Sequence, residues 1–460
     1  MQRNTIRVIL VLVLIVFAVV TPVILSGYSE LGKASTANTY AEAAQYYQNA
    51  AQRIPWRADL YELSGHADYH AQEYANAAVK YKKAFQRNAL SPKGWVAWGD
   101  VTYLNKDPQG AADIWERALE QKDPSEQLYS RLARTYQENG DYSKAAEFLQ
   151  RYVSTHAEDA AAHYRLGLLL TLSDPNTALS ELITASQADP QLDPAVQTLR
   201  TALNLASLSN SDSERFVIIG RGLGLVEEWP LAHAAFEEAA GIDGKNAEAW
   251  AWLEEANQHV GSDGSDGLDQ ALSLNPNSSV IRGLRGLYYQ RSGNFRKALE
   301  EFQFAARLEP ENPAWQVSIG EAYSKLGDLI RALAAYQHAT SLAPDDTNYW
   351  RLLAMFCAQN GVNIRDVGVP AAQRVVIMSK DDSTALDLLG WMYTLDSRYD
   401  DAEKMFTRAL DLDSQNASAH LHLALMYLQK NERSSARDHL VVARDLGNNE
   451  AEALLNQYFP

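Results

Sequence analysis

The sequence predicts an all-α array of helix-turn-helix hairpins set behind one membrane-spanning helix. Three observations carry that prediction. A small residue recurs mostly every 34 positions, an Ala-aromatic-Ala triple accompanies it, and one apolar run stands near the start.

The apolar run comes first. Residues Ile6 to Leu25 are apolar except for Arg7, Thr21 and Pro22. At ~1.5 Å per residue such a helix spans ~30 Å, the thickness of a hydrocarbon core. Arg3, Arg7 and the amino terminus stand at its leading end. The positive-inside rule keeps that end in the cytoplasm and sends the rest across. Residues 1–27 are therefore expected to be an uncleaved single-pass anchor in the cell membrane, with 28–37 a linker and the array extracytoplasmic. The competing reading is a cleaved signal peptide centred on Val8 to Val20. The small residues that would mark its cleavage, Gly32 and Ala34, sit late.

The period comes next. The small residue appears as Gly65, Gly99, Ala133, Gly167 and Gly220, then as Gly286, Gly320, Ala354, Gly390 and Ala424. The triples include Ala77/Tyr81/Ala84, Ala111/Trp115/Ala118, Ala232/Phe236/Ala239, Ala298/Phe302/Ala305, Ala332/Tyr336/Ala339 and Ala402/Phe406/Ala409. Spacings of four then three put each triple on one helix face. Small residues let paired helices approach closely, and the aromatic fills the gap against the next hairpin. Turns such as Asn139-Gly140-Asp141 and Ser292-Gly293-Asn294 join the helices, and Pro276, Pro310 and Pro344 end units.

This pattern resembles the tetratricopeptide repeat family. In residues 313–346 the resemblance rests on Ile319-Gly320, Tyr323, Gly327-Asp328, Ala332, Tyr336, Ala339 and Pro344. Eleven units begin near 58, 92, 126, 160, 213, 247, 279, 313, 347, 383 and 417, after a half unit with Ala43, Tyr47 and Ala50. The resemblance implies a right-handed superhelical solenoid whose first helices line a groove for partner polypeptides.

Departures divide the array. Between Gly167 and Gly220 the interval is 53 residues, so an inserted helix and hinge is expected over 194–212. The first block runs over 38–193, the second over 213–450, and 451–460 form a capping helix that covers the last hairpin with Leu454, Leu455 and Tyr458. In the unit at 247, Glu254 stands where a small residue is expected.

Composition narrows the function. The net charge is -17, and 58 acidic residues repel phosphate backbones, which argues against nucleic acid as a partner. Cys357 is the only cysteine, so no disulfide or cysteine-based zinc cluster is available, and it reads as a core residue. No phosphate loop, nucleophile elbow or dinucleotide fingerprint occurs, so no enzyme activity and no cofactor is expected. Asn277-Ser278-Ser279 and Asn416-Ala417-Ser418 match a glycosylation triplet, a pattern that chance produces often.

Candidate partner-binding residues are those of the first helices that the core does not use. Late in the chain these are Met355, Trp391, Leu421, Leu425 and Leu428. The last three form a second apolar stripe, which suits a partner, or else the tail or a second copy of the chain. Early in the chain they are Glu62, His66, Tyr69 and His70. Glu62, His66 and His70 share one helix face, and a polar groove wall is expected there rather than a metal site. A carboxylate clamp is not seen, because Arg134, Lys325 and Arg351 lie far apart in sequence. The expected function is a membrane-anchored scaffold that holds partner proteins, which the resemblance associates with envelope assembly or secretion. A non-catalytic regulatory subunit of a membrane-associated glycan-processing or proteolytic complex is the alternative.

Overall fold

The computed structural model describes residues 2–122 and 124–459, with side chains from residue 17 onward. Among the described residues all regular structure is helical. The chain forms two compact units, one of residues 1–208 with 225–231 and the other of residues 209–224 with 232–460.

The first unit begins with α1 (Gln2–Ala34), α2 (Tyr40–Arg53), α3 (Asp59–His70), α4 (Tyr74–Phe85) and α5 (Pro92–Leu104). It continues with α6 (Pro108–Leu119), α7 (Gln127–Glu138), α8 (Tyr142–Val153), α9 (Ala160–Leu170), α10 (Pro175–Ala188) and α11 (Asp193–Leu208). Successive helices pair as hairpins from α1/α2 to α9/α10, and α11 packs on α10. The residues expected as a linker prove helical as far as Ala34. Leu31 packs with Tyr47, Ala50 and Ala51, so the last turns of α1 complete the half unit.

Most of the expected membrane segment, residues 6–16, lies outside the described side chains. Among the described residues no helix is long and apolar enough to cross a membrane. The described remainder of the segment stands clear of the protein: Phe17 is 67% and Leu25 64% exposed.

The second unit holds α12 (Asp212–Leu225) and α13 (Trp229–Ile242) apart from their residues within 225–231, then α14 (Ala247–His259), α15 (Asp266–Leu274), α16 (Ser279–Arg291), α17 (Phe295–Leu308), α18 (Pro313–Lys325) and α19 (Leu329–Leu342). Then follow α20 (Thr347–Asn360), α21 (Val369–Met378), α22 (Ser383–Leu395), α23 (Tyr399–Leu412), α24 (Ala417–Gln429), α25 (Arg433–Asp445) and α26 (Asn449–Tyr458). Hairpins pair from α14/α15 to α24/α25, and α26 packs on α25.

The spacing of the small residues has a physical cause. The aromatic sixteen residues after Gly65, Gly99, Gly220, Gly286, Gly320 and Gly390 lies across the glycine within the same hairpin, and at Gly167 Leu182 does so. A methyl added at Gly99 would sit 2.0 Å from Trp115, and one at Gly220, Gly286 or Gly390 would sit 2.4–2.7 Å from Phe236, Phe302 or Phe406. Those three phenylalanines are buried, as are the flanking alanines. Some rings also reach the next hairpin, as expected: Tyr336 stacks on Phe356 at 4.9 Å. The α14/α15 hairpin lacks the aromatic. There Glu254 fills the space against Gly267, where a methyl would meet its carboxylate at 2.2 Å, and Asn257 donates to it.

Two further devices recur. Asp, Asn or Ser caps first helices at Ser91, Asp159, Asn246, Ser278, Asn312, Asp346, Asp382 and Asn416, each accepting from a backbone N–H of the first turn. The fourth residue of a first helix also donates to the carbonyl six residues back. Trp250 bonds Gly244 at 3.0 Å, Arg282 bonds Pro276 at 3.3 Å, and Trp350 bonds Pro344 at 2.9 Å. His163 and His420 do the same through Nε2, to Ala157 and Ser414. Each such bond satisfies a carbonyl left over at the preceding helix end.

Candidate functional site: the first-helix walls

In the first unit, three consecutive first helices enclose a cavity of about 330 Å³. Tyr69 of α3, Tyr103 and Leu104 of α5 and Trp115 of α6 supply its apolar walls, and Arg134 of α7 stands at its rim, 74% exposed. Its ions are paired. Arg131 grips Asp100 through two bonds of 2.7 and 3.2 Å. Glu138 accepts from Arg134 at 2.9 Å and from the Tyr103 hydroxyl. Partial burial would raise the Glu138 carboxyl, but these donors hold it below the usual carboxylate range. The Glu138 bond in turn raises the Tyr103 phenol. The result is an aromatic slot with balanced charge, large enough for one bulky side chain.

The early candidates do not act together. Glu62 is turned inward, only 9% exposed, and accepts from the backbone N–H of Ser91 at 2.6 Å and from its hydroxyl. It ties α3 to the start of α5 and is not a groove residue. His66 has both ring nitrogens engaged, Nδ1 with the Tyr81 hydroxyl at 2.8 Å and Nε2 with Glu62 at 3.3 Å. His70 is exposed, with its ring 5.1 Å from Tyr40. No group of three His, Cys, Asp or Glu side chains among the described residues is placed to hold a metal. Tyr69 alone of the four lines the slot; His66 and His70 line a separate hollow beside α2.

In the second unit, Met355 is 39% exposed on α20, and Trp391 of α22 stacks face to face on His422 of α24 at 4.7 Å. His422 Nδ1 and the Ser418 hydroxyl both bond Asp387, at 2.8 and 2.7 Å. Serine, histidine and aspartate thus meet, but the serine proton points at the carboxylate and not at a free imidazole nitrogen. A nucleophile is not activated that way; the cluster fixes the wall.

Of the expected uses of the stripe on α24, the structure shows packing on the tail. Leu421 is 5% exposed and joins Leu440, Ala443 and Ala451 in a core against which Leu425, Leu454, Leu455 and Phe459 pack. The tail consumes the stripe because α24 is the last first helix, and its outer face has no following hairpin. Phe459 takes the place expected for Tyr458, which is 38% exposed. Leu428 is half-buried.

Other wall residues carried no sequence signal. Arg221 lies 5.3 Å over the Trp252 ring, and Arg291 reaches from α16 to Gln258 at 2.6 Å and to Glu255 on α14. Trp252 Nε1, Glu255 Oε2 and Gln290 Oε1 are buried and lack a hydrogen-bond partner. One donor and two acceptors on neighbouring first helices are thus left unpaired in the interior, and each carries a desolvation penalty.

Stacked hairpins with capped helices and glycine-seated aromatics define a helical repeat protein. The chain belongs to the tetratricopeptide repeat family, whose model matches residues 103–169, 289–356 and 394–458. It is 27% identical over 145 residues to anaphase-promoting complex subunit 3 of Schizosaccharomyces pombe, covering 31% of this chain and 22% of that one. It is 22% identical over 253 residues to the peroxisomal targeting signal receptor of Candida albicans, covering 54% and 40%. The matches thus span well under half the length of either relative. Among solved structures, yeast Tom70 aligns over 96% of this chain and 95% of its own, at 14% identity and a TM-score of 0.40.

Proposed function

We propose that the chain is a membrane-anchored scaffold that holds extended segments of partner proteins against its first-helix walls. The observation that carries the reading is the open aromatic slot that Tyr69, Tyr103, Leu104 and Trp115 form in the first unit. The aromatic slot of the first unit would take a bulky side chain of such a segment. That one relative is named a targeting-signal receptor and the other a subunit of a complex agrees with holding polypeptides. Anchoring is supported by the exposed apolar turns from Phe17 to Leu25, which continue the apolar run of the sequence. The two arginines at the leading end of that run favour a cytoplasmic amino terminus and an array on the other side, where envelope assembly or secretion takes place.

Site-specific photo-crosslinking in intact membranes tests the reading. Probes at Leu287 and Met355, exposed on first helices, should yield discrete protein adducts. A probe at Ile330, 84% exposed on the second helix α19, should not. Equal labelling from all three positions would exclude a dedicated first-helix wall.

A further inference from the structure

The surface beside the emerging anchor is basic, although the chain as a whole carries a net charge of -17. Residues 74–93 contain Lys80, Lys82, Lys83, Arg87 and Lys93 and no acidic residue. The corresponding link one hairpin later carries Glu120, Asp123 and Glu126 against Lys122, and the next carries Glu158 and Asp159. Arg282, Arg285, Arg291, Arg296 and Lys297 form another acid-free basic run, far from the anchor in sequence. Among the early hairpins the positive charge is therefore concentrated in residues 74–93.

Its placement follows from the contacts of α1. Gly27 lies so close to the α2–α3 turn that a methyl there would sit 2.5 Å from Ile54. Arg53 donates to Ser26 at 3.0 Å. The turn therefore sits level with the first residues after Leu25, where the apolar run ends. Two residues beyond Ile54 stands Trp56, 58% exposed, and three residues beyond Leu25 stands Tyr28, 46% exposed. Tyr28 is only ~4.5 Å further along the helix axis than Leu25. The returning end of α4 joins the same edge. Leu60, Tyr61 and Ala84 share a core with Ala50 and Ala51, and Arg87 lies 4.7 Å over the Tyr61 ring. Lys80 is spent on Asp68 and Arg57 on Asp59, which leaves Lys82 and Arg87 exposed with Lys93 nearby.

We infer that this edge is a second membrane contact: Trp56 and Tyr28 lie at the headgroup layer, and Lys82, Arg87 and Lys93 face anionic phospholipid. Exposed Trp and Tyr at the end of an apolar helix match the interfacial belt, where an amphipathic ring is half wet and half apolar. Clustered Lys and Arg next to a span bind anionic lipid. The contact would hold the first hairpins flat on the bilayer. The inference rests on the anchored reading.

The test uses the full chain in protein-free vesicles, of phosphatidylcholine alone or with 30 mol% phosphatidylglycerol. An environment-sensitive fluorophore is placed through Val19→Cys, Trp56→Cys or Ala75→Cys; Cys357 is fully buried and stays unlabelled. Ala75 lies at the opposite end of α4. With the Val19 probe in lipid, the Trp56 probe should be quenched at least twofold by a headgroup-depth spin label in the anionic vesicles, and the Ala75 probe should not. Lys82→Gln with Arg87→Gln should weaken docking about fivefold per charge in anionic vesicles and leave neutral ones unchanged. A Trp56 probe that stays in water while Val19 is in lipid overturns this inference alone, as does docking indifferent to lipid charge. A Val19 probe in water overturns the anchored reading and this inference with it.

Discussion

The last hairpin closes against α26 and the first against α1, and the two closures treat the free side of the closing helix in opposite ways. Helix α26 buries Ala451, Leu454 and Leu455 and turns Glu452, Asn456 and Gln457 to solvent. Its apolar content matches the face it must cover. The end of α1 also buries one face, with Gly27, Glu30 and Ala34 inward and Ser29 and Gly32 outward. One turn earlier α1 becomes apolar on every side, with Phe17, Val19, Val20, Val23 and Leu25 all exposed. A cap needs one apolar face. A helix apolar all round needs a different solvent.

Substitutions at the two ends sharpen the contrast, beginning with the largest expected effect. Leu421→Ala should cost about 3 kcal/mol in urea denaturation, the usual loss for a buried leucine. A cost below ~0.5 kcal/mol, as at an exposed surface, would return Leu421 to the partner wall. At the other end Gly27→Ala should destabilise by about 2 kcal/mol, because the methyl collides with Ile54. Gly32→Ala, five residues on with open space around it, should instead stabilise by about 0.5–1 kcal/mol. Like signs for the two glycines would mean that α1 does not pack as described. Asn416→Ala removes the α24 cap and the 2.7 Å bond to Ser383, and should cost about 1 kcal/mol in thermal unfolding.

The smallest effect is in pH dependence. Burial holds His439 below its ordinary 6.5, and the adjacent His420 adds to this while Asp438 opposes it. The unfolded chain therefore takes up the proton first. Stability at the C-terminal end is complete above about 6.5 and falls as pH drops below it. Glu30 is held below its ordinary 4.5 by the bond from Lys33, then by Asn49. Its contribution at the N-terminal end is present above about 4.5 and lost only as pH falls through the lower folded value. Hydrogen exchange at pH 5.5 against 7.5 should show reduced protection in α24–α25 and little change in α1–α2. His439→Gln should abolish the difference.

Much of the fold was legible in the sequence because its cause is local. Gly286 and Phe302 must stand sixteen residues apart to meet within one hairpin, so the requirement recurs with the repeat. The fourth-position donors escaped notice for the converse reason. Trp250, Arg282, Trp350, His163 and His420 differ in shape and share only an N–H of the right reach. The wall residues were read less well. Glu62 and Leu421 occupy repeat positions that face outward in principle, yet neighbours claim both, Ser91 in one case and the tail in the other.

By itself the sequence determined the helical hairpins, their small-residue seams and their family, since each depends on contacts between residues a fixed distance apart along the chain. Only the tertiary structure decided which first-helix side chains remain free. Whether Leu421 is wall or core, and whether Tyr103, Arg134 and Trp115 meet in one slot, depends on which side chains fill the space between neighbouring helices, and the period fixes the helices but not those side chains. The free energy of burial acts on what is adjacent in space.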